Sequence, residues 1–310
     1  MNMNMNMNMN MNMNMNMNMK RILTMTAIAL AVSACGGGKS GDETTVAGGL
    51  PVVKASDNCV VYWLKDNQGE RLMPASLFPD APQAMIDSLG VQDGVPASVG
   101  TFLLLCNDGT VLFDTGNGGE GAGLYAGLDS LGIAPADVDY LYITHFHGDH
   151  IGGMMAGDSA LFTKAQVYVP KAEYDAWMAM PDDRKAQVVK TMDAYRDRLH
   201  LVDCGLEPLA DSEVVLPGGV VPYYAPGHTP GHTVYYIKSA GVLIAGDLMH
   251  GAAIQMLRPD VNASFDMDGA RAAGSRVKVL DCVRANGLVM AGMHLPEPGY
   301  IDFSDAKAAE

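Results

Sequence analysis

The stretch that decides the fold spans residues 144 to 150 and reads Thr144-His145-Phe146-His147-Gly148-Asp149-His150. It follows an apolar run, residues 138–143, that predicts a buried strand. Neutral imidazole and carboxylate are ligands that suit a borderline divalent ion such as zinc. Their spacing, i, i+2, i+4 and i+5, cannot be met by one face of a regular helix or strand. We therefore expect a loop at a strand end, bent around metal ions. The alternative is a surface loop that happens to be rich in histidine.

Similar candidate ligands recur downstream at the ends of other predicted strands. One predicted strand, residues 220–224, runs into Ala225-Pro226-Gly227-His228-Thr229-Pro230-Gly231-His232-Thr233. The next two buried strands end in Gly246-Asp247 and in Gly292-Met293-His294-Leu295-Pro296. Seven of the eight histidines lie in or next to these loops, and we expect the eighth, His200, on the surface or in the core. Such a distribution is what a single site predicts, because rigid elements hold loop residues in register.

The order of predicted elements is strand, loop with ligand, and helix, repeated in two halves. Two packed β-sheets with helices outside account for that order. We therefore predict an α+β fold, a four-layer αββα sandwich with two mixed sheets. Residues 73–98 predict a long loop with a short helix near residues 83–89, which we expect over the site or, alternatively, as a loosely packed connector.

Composition narrows the possible partners of the chain. Its 310 residues are 48% hydrophobic, which is ample for a sizeable core, and the formal net charge is −15. Phosphate backbones are bound through clustered Lys and Arg, and no basic stripe is present. The sequence therefore argues against a nucleic-acid partner, and we expect a small-molecule substrate.

The N-terminal region predicts export. Residues 1–18 alternate Met and Asn as a low-complexity extension, and residues 19–35 have the basic, apolar and small-residue regions of a signal peptide. The ending at Cys35 resembles the lipobox of bacterial lipoproteins, in which the Cys is acylated. We expect a lipid anchor at Cys35, a flexible tether over residues 36–54 and one folded domain over residues 55–310, on the periplasmic or cell-surface side. The alternative is a plain secreted protein with an ordinary cleavage site.

Taken together, the ligand motifs resemble the metallo-β-lactamase fold superfamily over about residues 55 to 300. The run Gly246-Asp247-Leu248-Met249-His250 and the run His294-Leu295-Pro296-Glu297-Pro298-Gly299 most resemble the branch with methyl parathion hydrolase and lactonase-like hydrolases. The resemblance implies two metal sites: His145, His147 and His232 for one ion, Asp149, His150 and His294 for the other, with Asp247 bridging. It also implies that His228 stabilises a turn or supports a ligand, and that Asp114 orients a ligand imidazole from behind.

Seven ligands are too many for one tetrahedral zinc and about right for two ions with open positions. Two ions about 4 Å apart can share a hydroxide, because metal binding lowers the pKa of water toward ~7. We expect two divalent ions, zinc above all, although manganese, iron and cobalt also bind such ligands. The predicted activity is hydrolysis of an ester, lactone or phosphotriester, with Asp149, Asp247 and His250 as the catalytic residues. His250 would hydrogen-bond the substrate or its leaving group, or else be a structural histidine.

Two other functions stay open on the sequence alone. A β-lactamase would use the same ligands, and a non-catalytic metal-binding lipoprotein would keep the fold. Redox chemistry is disfavoured, because the flavo-diiron relatives carry Glu at the position of His147.

Overall fold

The computed structural model describes residues 45–46, 49–210 and 212–307. The predicted Met-Asn extension, the signal peptide with Cys35 and the first part of the tether lie outside these residues. Within them, no helix has both the length and the apolar character to cross a bilayer.

The strands and helices are as follows. In chain order the strands are β1 (Thr45–Val46), β2 (Leu50–Ser56), β3 (Cys59–Lys65), β4 (Arg71–Met73), β5 (Val95–Ala97), β6 (Gly100–Cys106), β7 (Gly109–Phe113), β8 (Tyr140–Tyr142), β9 (Met155–Ala156), β10 (Ser159–Ala160), β11 (Gln166–Pro170), β12 (Leu199–Val202), β13 (Val220–Tyr224), β14 (Thr233–Ile237), β15 (Val242–Ile244), β16 (Val289–Ala291) and β17 (Tyr300–Asp302). The α-helices are α1 (Gln83–Leu89), α2 (Gly123–Ser130), α3 (Gly148–Ile151), α4 (Lys171–Met178), α5 (Asp182–Ala194), α6 (Ala252–Gln255), α7 (Gly269–Asn286) and α8 (Ser304–Lys307). Short 3-10 helices cover Ala75–Leu77, Pro135–Asp137, Gly152–Met154, Arg196–Arg198 and Pro217–Gly219.

Two large mixed sheets form the frame of the molecule. The first has eight strands in the order β1-β2-β3-β6-β7-β8-β11-β12, antiparallel as far as β7 and parallel from β7 onward. The second has five strands in the order β13-β14-β15-β16-β17, in which only β15 and β16 run parallel. Both sheets are therefore mixed, as predicted.

Apolar side chains from both sheets form the central core between them. Trp63 and Phe113 come from the first sheet and pack in one cluster with Tyr235, Ile244 and Val289 of the second. The outer face of the first sheet packs against α2, α4 and α5, and the outer face of the second packs against α7. Each sheet thus buries one face against the other sheet and one against helices. The predicted αββα sandwich is confirmed.

Residues 71–97 form a packed unit rather than a loose connector. Strands β4 and β5 pair, and α1 has the bounds predicted from the sequence. Phe78 and Ile86 of this unit pack against Ile254 and Val261. The approach is close at Gly251, where an added Cβ would clash with the Phe78 ring. The unit therefore buttresses the segment that follows His250.

The boundary predicted for the tether was wrong. Leu50–Ser56 forms β2 and overlaps the predicted tether 36–54, because Val52 and Val53 bury their side chains in the two cores beside the first sheet.

Candidate metal centre

The loops that carry the candidate ligands meet at one edge of the sandwich. The 145–150 loop follows β8, the 225–232 loop joins β13 to β14, Asp247 follows β15 and His294 follows β16. The two sheets are joined directly at this edge, because the Thr233 N–H donates to the Thr144 carbonyl oxygen at 3.1 Å. Segments far apart in sequence therefore converge, as the sequence predicted.

Three imidazoles form the first group, together with Asp247. His145 Nε2 lies 3.1 Å from His147 Nδ1. His228 Nε2 lies 2.8 Å from His147 Nδ1 and 3.2 Å from His145 Nε2. One ligand atom from each of these residues lies within 4.8 Å of all the others, which is the spacing that one metal ion needs.

The second group consists of Asp149, His150 and His294. Their ligand atoms also lie within 4.8 Å of one another. His294 Nε2 is 3.4 Å from one oxygen of Asp149, and His150 Nε2 is 3.8 Å from the other. Helix α3 begins at Gly148, so a single helical turn presents both Asp149 and His150 to the centre.

Asp247 lies between the two groups and contacts both. Its Oδ2 is 3.2 Å from His228 Nε2 and 3.1 Å from His294 Nε2, and its Oδ1 is 3.0 Å from His150 Nε2. The side chain is only 2% exposed. A carboxylate in this position could bridge ions held by the two groups, which is the role predicted for Asp247 from the resemblance.

The structure places His228, and not the predicted ligand His232, in the first candidate group. His232 donates its Nδ1–H to the Ala225 carbonyl oxygen at 2.9 Å, and its Nε2 accepts the Asp247 backbone N–H at 3.0 Å. Both ring nitrogens are therefore used within the protein, and burial lowers the pKa of His232 to about 3, which keeps the ring neutral. His228 thus lies where His232 was predicted, and His232 instead fixes the backbone of Asp247.

The donor set fits two divalent cations. His150 Nε2 and Asp247 Oδ1 are buried and make no hydrogen bond, although they lie 3.0 Å apart. The three nitrogens of the first group face one another at 2.8 to 3.2 Å. Cations would satisfy these converging lone pairs, and nitrogen and carboxylate oxygen are the ligands that zinc prefers.

Groups behind the ligands fix the ring orientations. His150 donates Nδ1–H to Asp114 Oδ2 at 2.7 Å, and Asp114 also accepts the backbone and side-chain donors of Thr144. His294 donates Nδ1–H to the Ser98 carbonyl oxygen at 2.8 Å. Each bond leaves Nε2 directed at the centre, which is how outer contacts orient metal-binding histidines. Asp114 thus lies directly behind the His150 ring.

The protonation pattern follows from burial and from Asp247. Burial lowers the pKa of His147 to about 3, with His228 adding to the effect. Burial would also lower the pKa of His294, but Asp247 and Asp149 raise it to about 10. Burial alone would raise the pKa of Asp247, yet His150, His294 and His145 hold it well below its usual range. The ionised Asp247 carboxylate therefore stabilises protonated imidazole where a cation would bind. We expect metal binding to release these protons.

Glu173 of α4 joins the two histidine loops and was not predicted from the sequence. Its Oε1 accepts the Phe146 N–H at 3.0 Å and the Trp177 indole N–H at 2.6 Å. Its Oε2 accepts the Thr229 hydroxyl and the Gly231 N–H, both at 2.8 Å. One fully buried carboxylate thus satisfies four donors and holds the segments beside His147 and His228 together. A single Glu in a helix of mixed charge gives no sequence signal for such a role.

An αββα sandwich with a histidine and aspartate cluster at its edge defines a class, the metal-dependent hydrolases of the metallo-β-lactamase fold. The model of the metallo-beta-lactamase superfamily matches residues 96–294 of the chain. The chain belongs to this superfamily and is an enzyme of the metallo-hydrolase type.

Individual relatives agree with this membership. The N-acyl homoserine lactonase of Bacillus thuringiensis is 27% identical over 202 residues, which cover 55% of this chain and 74% of that protein. The beta-lactamase-like protein 2 homolog of Caenorhabditis elegans is 27% identical over 152 residues, or 49% of this chain and 44% of that protein. The chain thus spans less than half the length of the nematode protein. The crystal structure of hydrolase AbOPH of the beta lactamase superfamily shares 26% identity and a TM-score of 0.68, covering 80% of this chain and 91% of that one.

Substituting His228 and His232 one at a time tests which of the two binds metal. His228→Ala is expected to weaken binding of one ion at least about tenfold, because outer contacts alone are worth that much. His232→Ala leaves the Asp247 N–H and the Ala225 carbonyl without partners, at a cost of about 1–3 kcal/mol in the free energy of unfolding. Metal analysis after limited chelation and thermal unfolding measure both effects. Loss of metal from His232→Ala with full retention in His228→Ala would contradict the structure.

Glu173→Gln tests the carboxylate that joins the loops. The amide has one acceptor oxygen, so two of the four donors lose their partner and face an NH₂ group. We expect the free energy of unfolding of the metal-free protein to fall by about 1–3 kcal/mol. Chemical denaturation measures it, with Asp175→Asn, an exposed position on the same helix, as the control. Equal stability of the two variants would remove Glu173 from this role.

Proposed function

We propose that this protein is a dinuclear, zinc-dependent hydrolase that acts on esters, lactones or phosphotriesters. The observation that carries the proposal is the buried Asp247 carboxylate in contact with two separate ligand groups. Its lactonase relative in Bacillus thuringiensis supports a carboxylic ester or lactone among these substrate classes. The N-terminal sequence supports the further proposal of an exported lipoprotein acylated at Cys35.

When bound, two divalent ions supply a water of lowered pKa and polarise the carbonyl or phosphoryl oxygen under attack. The chain supplies the geometry. Asp247, held by the His232 contact to its backbone, stays ionised between the two groups. Asp149 lines the second group and is 27% exposed, so this group faces the side from which a substrate enters.

His250 is the residue best placed to contact the substrate. Its Nε2 lies 3.2 Å from Asp247 Oδ2, and its Nδ1 is buried without a hydrogen-bond partner. Burial lowers the pKa of His250 to about 4, so the ring is neutral at pH 7. Its Nε2–H donates to the ionised Asp247 carboxylate, which leaves the lone pair of the ring on Nδ1. The backbone is fixed, because the His250 N–H donates to Gln255 Oε1 at 2.8 Å. The Nδ1 atom can thus accept a hydrogen bond from the substrate or from its leaving group.

An apolar border surrounds this part of the site. The Phe265 ring lies 5.4 Å from the His250 ring and is 47% exposed. The Met267 N–H donates to the His228 carbonyl oxygen, and the Met267 side chain is also exposed. Exposed large apolar side chains beside a polar centre suit a substrate with an apolar portion next to its scissile bond.

A substrate panel with and without metal tests the proposal. The chain from Gly36 onward is expected to hydrolyse an acyl lactone, an aryl ester or an aryl phosphotriester faster than a chromogenic cephalosporin. Chelation should abolish turnover, and about two equivalents of Zn²⁺ should restore it. Asp247→Asn should lower kcat at least about 100-fold, the range for one well-placed catalytic group.

Asp158→Asn, at an exposed carboxylate, is the control for Asp247→Asn. Unchanged turnover in Asp247→Asn would contradict the proposal. Preference for the cephalosporin would favour a β-lactamase, and metal binding without turnover of any substrate would favour a binding protein.

His250→Phe keeps the ring volume and removes both nitrogens. We expect kcat to fall about 10²- to 10⁴-fold, the usual contribution of a group that transfers or shares a proton with the substrate. The metal content should stay at the wild-type level, as measured by elemental analysis. His200→Phe is the matched control, because His200 is exposed and stacks on Tyr168 outside the site. An unchanged kcat would assign His250 a structural role. A loss of bound metal as the main effect of the substitution would do the same.

A further inference from the structure

The buried carboxylate of Asp266 lies directly behind the His228 ring. His228 donates Nδ1–H to Asp266 Oδ1 at 3.1 Å, which leaves His228 Nε2 directed at the first ligand group. The second oxygen, Asp266 Oδ2, accepts the Ala263 N–H at 3.2 Å and the Arg276 guanidinium at 3.1 Å. The Asp266 side chain is fully enclosed. Its orientation is therefore determined by three donors.

Arg276 holds this carboxylate from the middle of α7. The guanidinium is buried, and each of its three nitrogens donates inward. Nε donates to the Leu248 carbonyl oxygen at 2.7 Å, and Nη1 donates to the carbonyl oxygens of Pro259 and Val261 at 2.7 and 3.0 Å. Nη2 completes the set at Asp266.

These contacts tie together two segments that reach the centre. Leu248 lies between the bridging Asp247 and His250, and residues 259–266 end at the carboxylate behind His228. The neighbouring residues on α7 that pack against the sheet are apolar, for example Val279, Leu280 and Val283. A buried ion pair is weak evidence for stability, because desolvation offsets much of the attraction between the charges. Packing alone therefore gives no reason for Arg at this position.

We propose that Asp266, held by Arg276, is a positioning residue for His228, an inference that rests on the proposed metal centre. The carboxylate fixes the tautomer with the proton on Nδ1 and turns Nε2 toward His145 and His147. Arg276 keeps the carboxylate at that angle and fixes the distance between the 247–250 segment and His228. The first ligand group is thus completed from α7, a helix that contributes no ligand itself.

Asp266→Asn tests the tautomer. An asparagine that turns its amide toward His228 favours the opposite tautomer, with the proton on Nε2 and no lone pair for the metal. We expect affinity for one of the two ions to fall about 10- to 100-fold while the other ion is retained. Competition with a chromogenic chelator measures this affinity. The absorption spectrum of the Co²⁺-loaded protein should change in band position or intensity, because the geometry of one ion changes.

Two further variants and a control complete the design. Asp266→Glu restores the charge and should recover part of the affinity, and Arg276→Lys keeps a cation but cannot make all four donations. Lys278→Met, on the exposed side of the same helix where Lys278 pairs with Glu207, is the control and should match the wild type. A positioning role predicts that Asp266→Asn shrinks the rise in Tm caused by Zn²⁺, rather than only lowering the Tm of the metal-free protein.

The outcomes separate the two proposals. Two ions in the wild type, with wild-type chelator resistance and Co²⁺ spectrum in both Asp266→Asn and Arg276→Lys, would overturn this inference and leave the proposed function intact. Absence of metal binding by the wild type would overturn the proposed function itself. If Asp266→Asn fails to fold, Asp266→Glu and Arg276→Lys carry the same comparison, and their full metal retention would also overturn the inference.

Discussion

One buried carboxylate, Asp247, is the interaction on which the rest of the site depends. It is 2% exposed, and five imidazoles place a nitrogen within 3.0 to 3.7 Å of its oxygens. An isolated buried charge is strongly unfavourable unless it is paired or bound to metal. Four of these imidazoles come from other segments of the chain, and only His250 shares the segment after β15 with Asp247. Keeping this charge paired therefore constrains how both sheets are arranged.

That constraint explains why so many polar groups are buried at this edge. Asp114, Glu173 and Asp266 each satisfy several donors, and each lies behind or beside a histidine loop. A closely packed apolar core could contribute as much to the free energy of unfolding as most of their contacts do. What they supply is direction, since each fixes the position of an imidazole or of the backbone that carries it. Most of the stability comes from the apolar packing of the fold. Burying these carboxylates costs part of that stability, and the result is a fixed position for each candidate ligand.

Much of this architecture could be predicted from the sequence, for identifiable reasons. The helix Gln83–Leu89 and the order of ligand-bearing strand ends follow from period and turn chemistry, which are local. The choice between His228 and His232 could not be made locally, because both follow a Pro-Gly pair and only the path of the turn decides which ring faces inward. Glu173 and Arg276 carry no signal, since a charged residue in a helix ordinarily faces solvent. Glu173 acts through contacts with Thr229 and Gly231, more than 50 residues away in sequence. Arg276 acts through the irregular segment that ends at Asp266.

The close packing of Phe78 against Gly251 separates two tasks within one edge of the molecule. The unit formed by residues 71–97 contacts the chain just past His250 but supplies none of the candidate ligands, although Ser98, directly after it, accepts from His294. A substitution within this unit can therefore change the surroundings of His250 while the histidine and aspartate cluster keeps its own contacts. Selectivity and ligand geometry thus reside in different parts of the chain and can be altered one at a time.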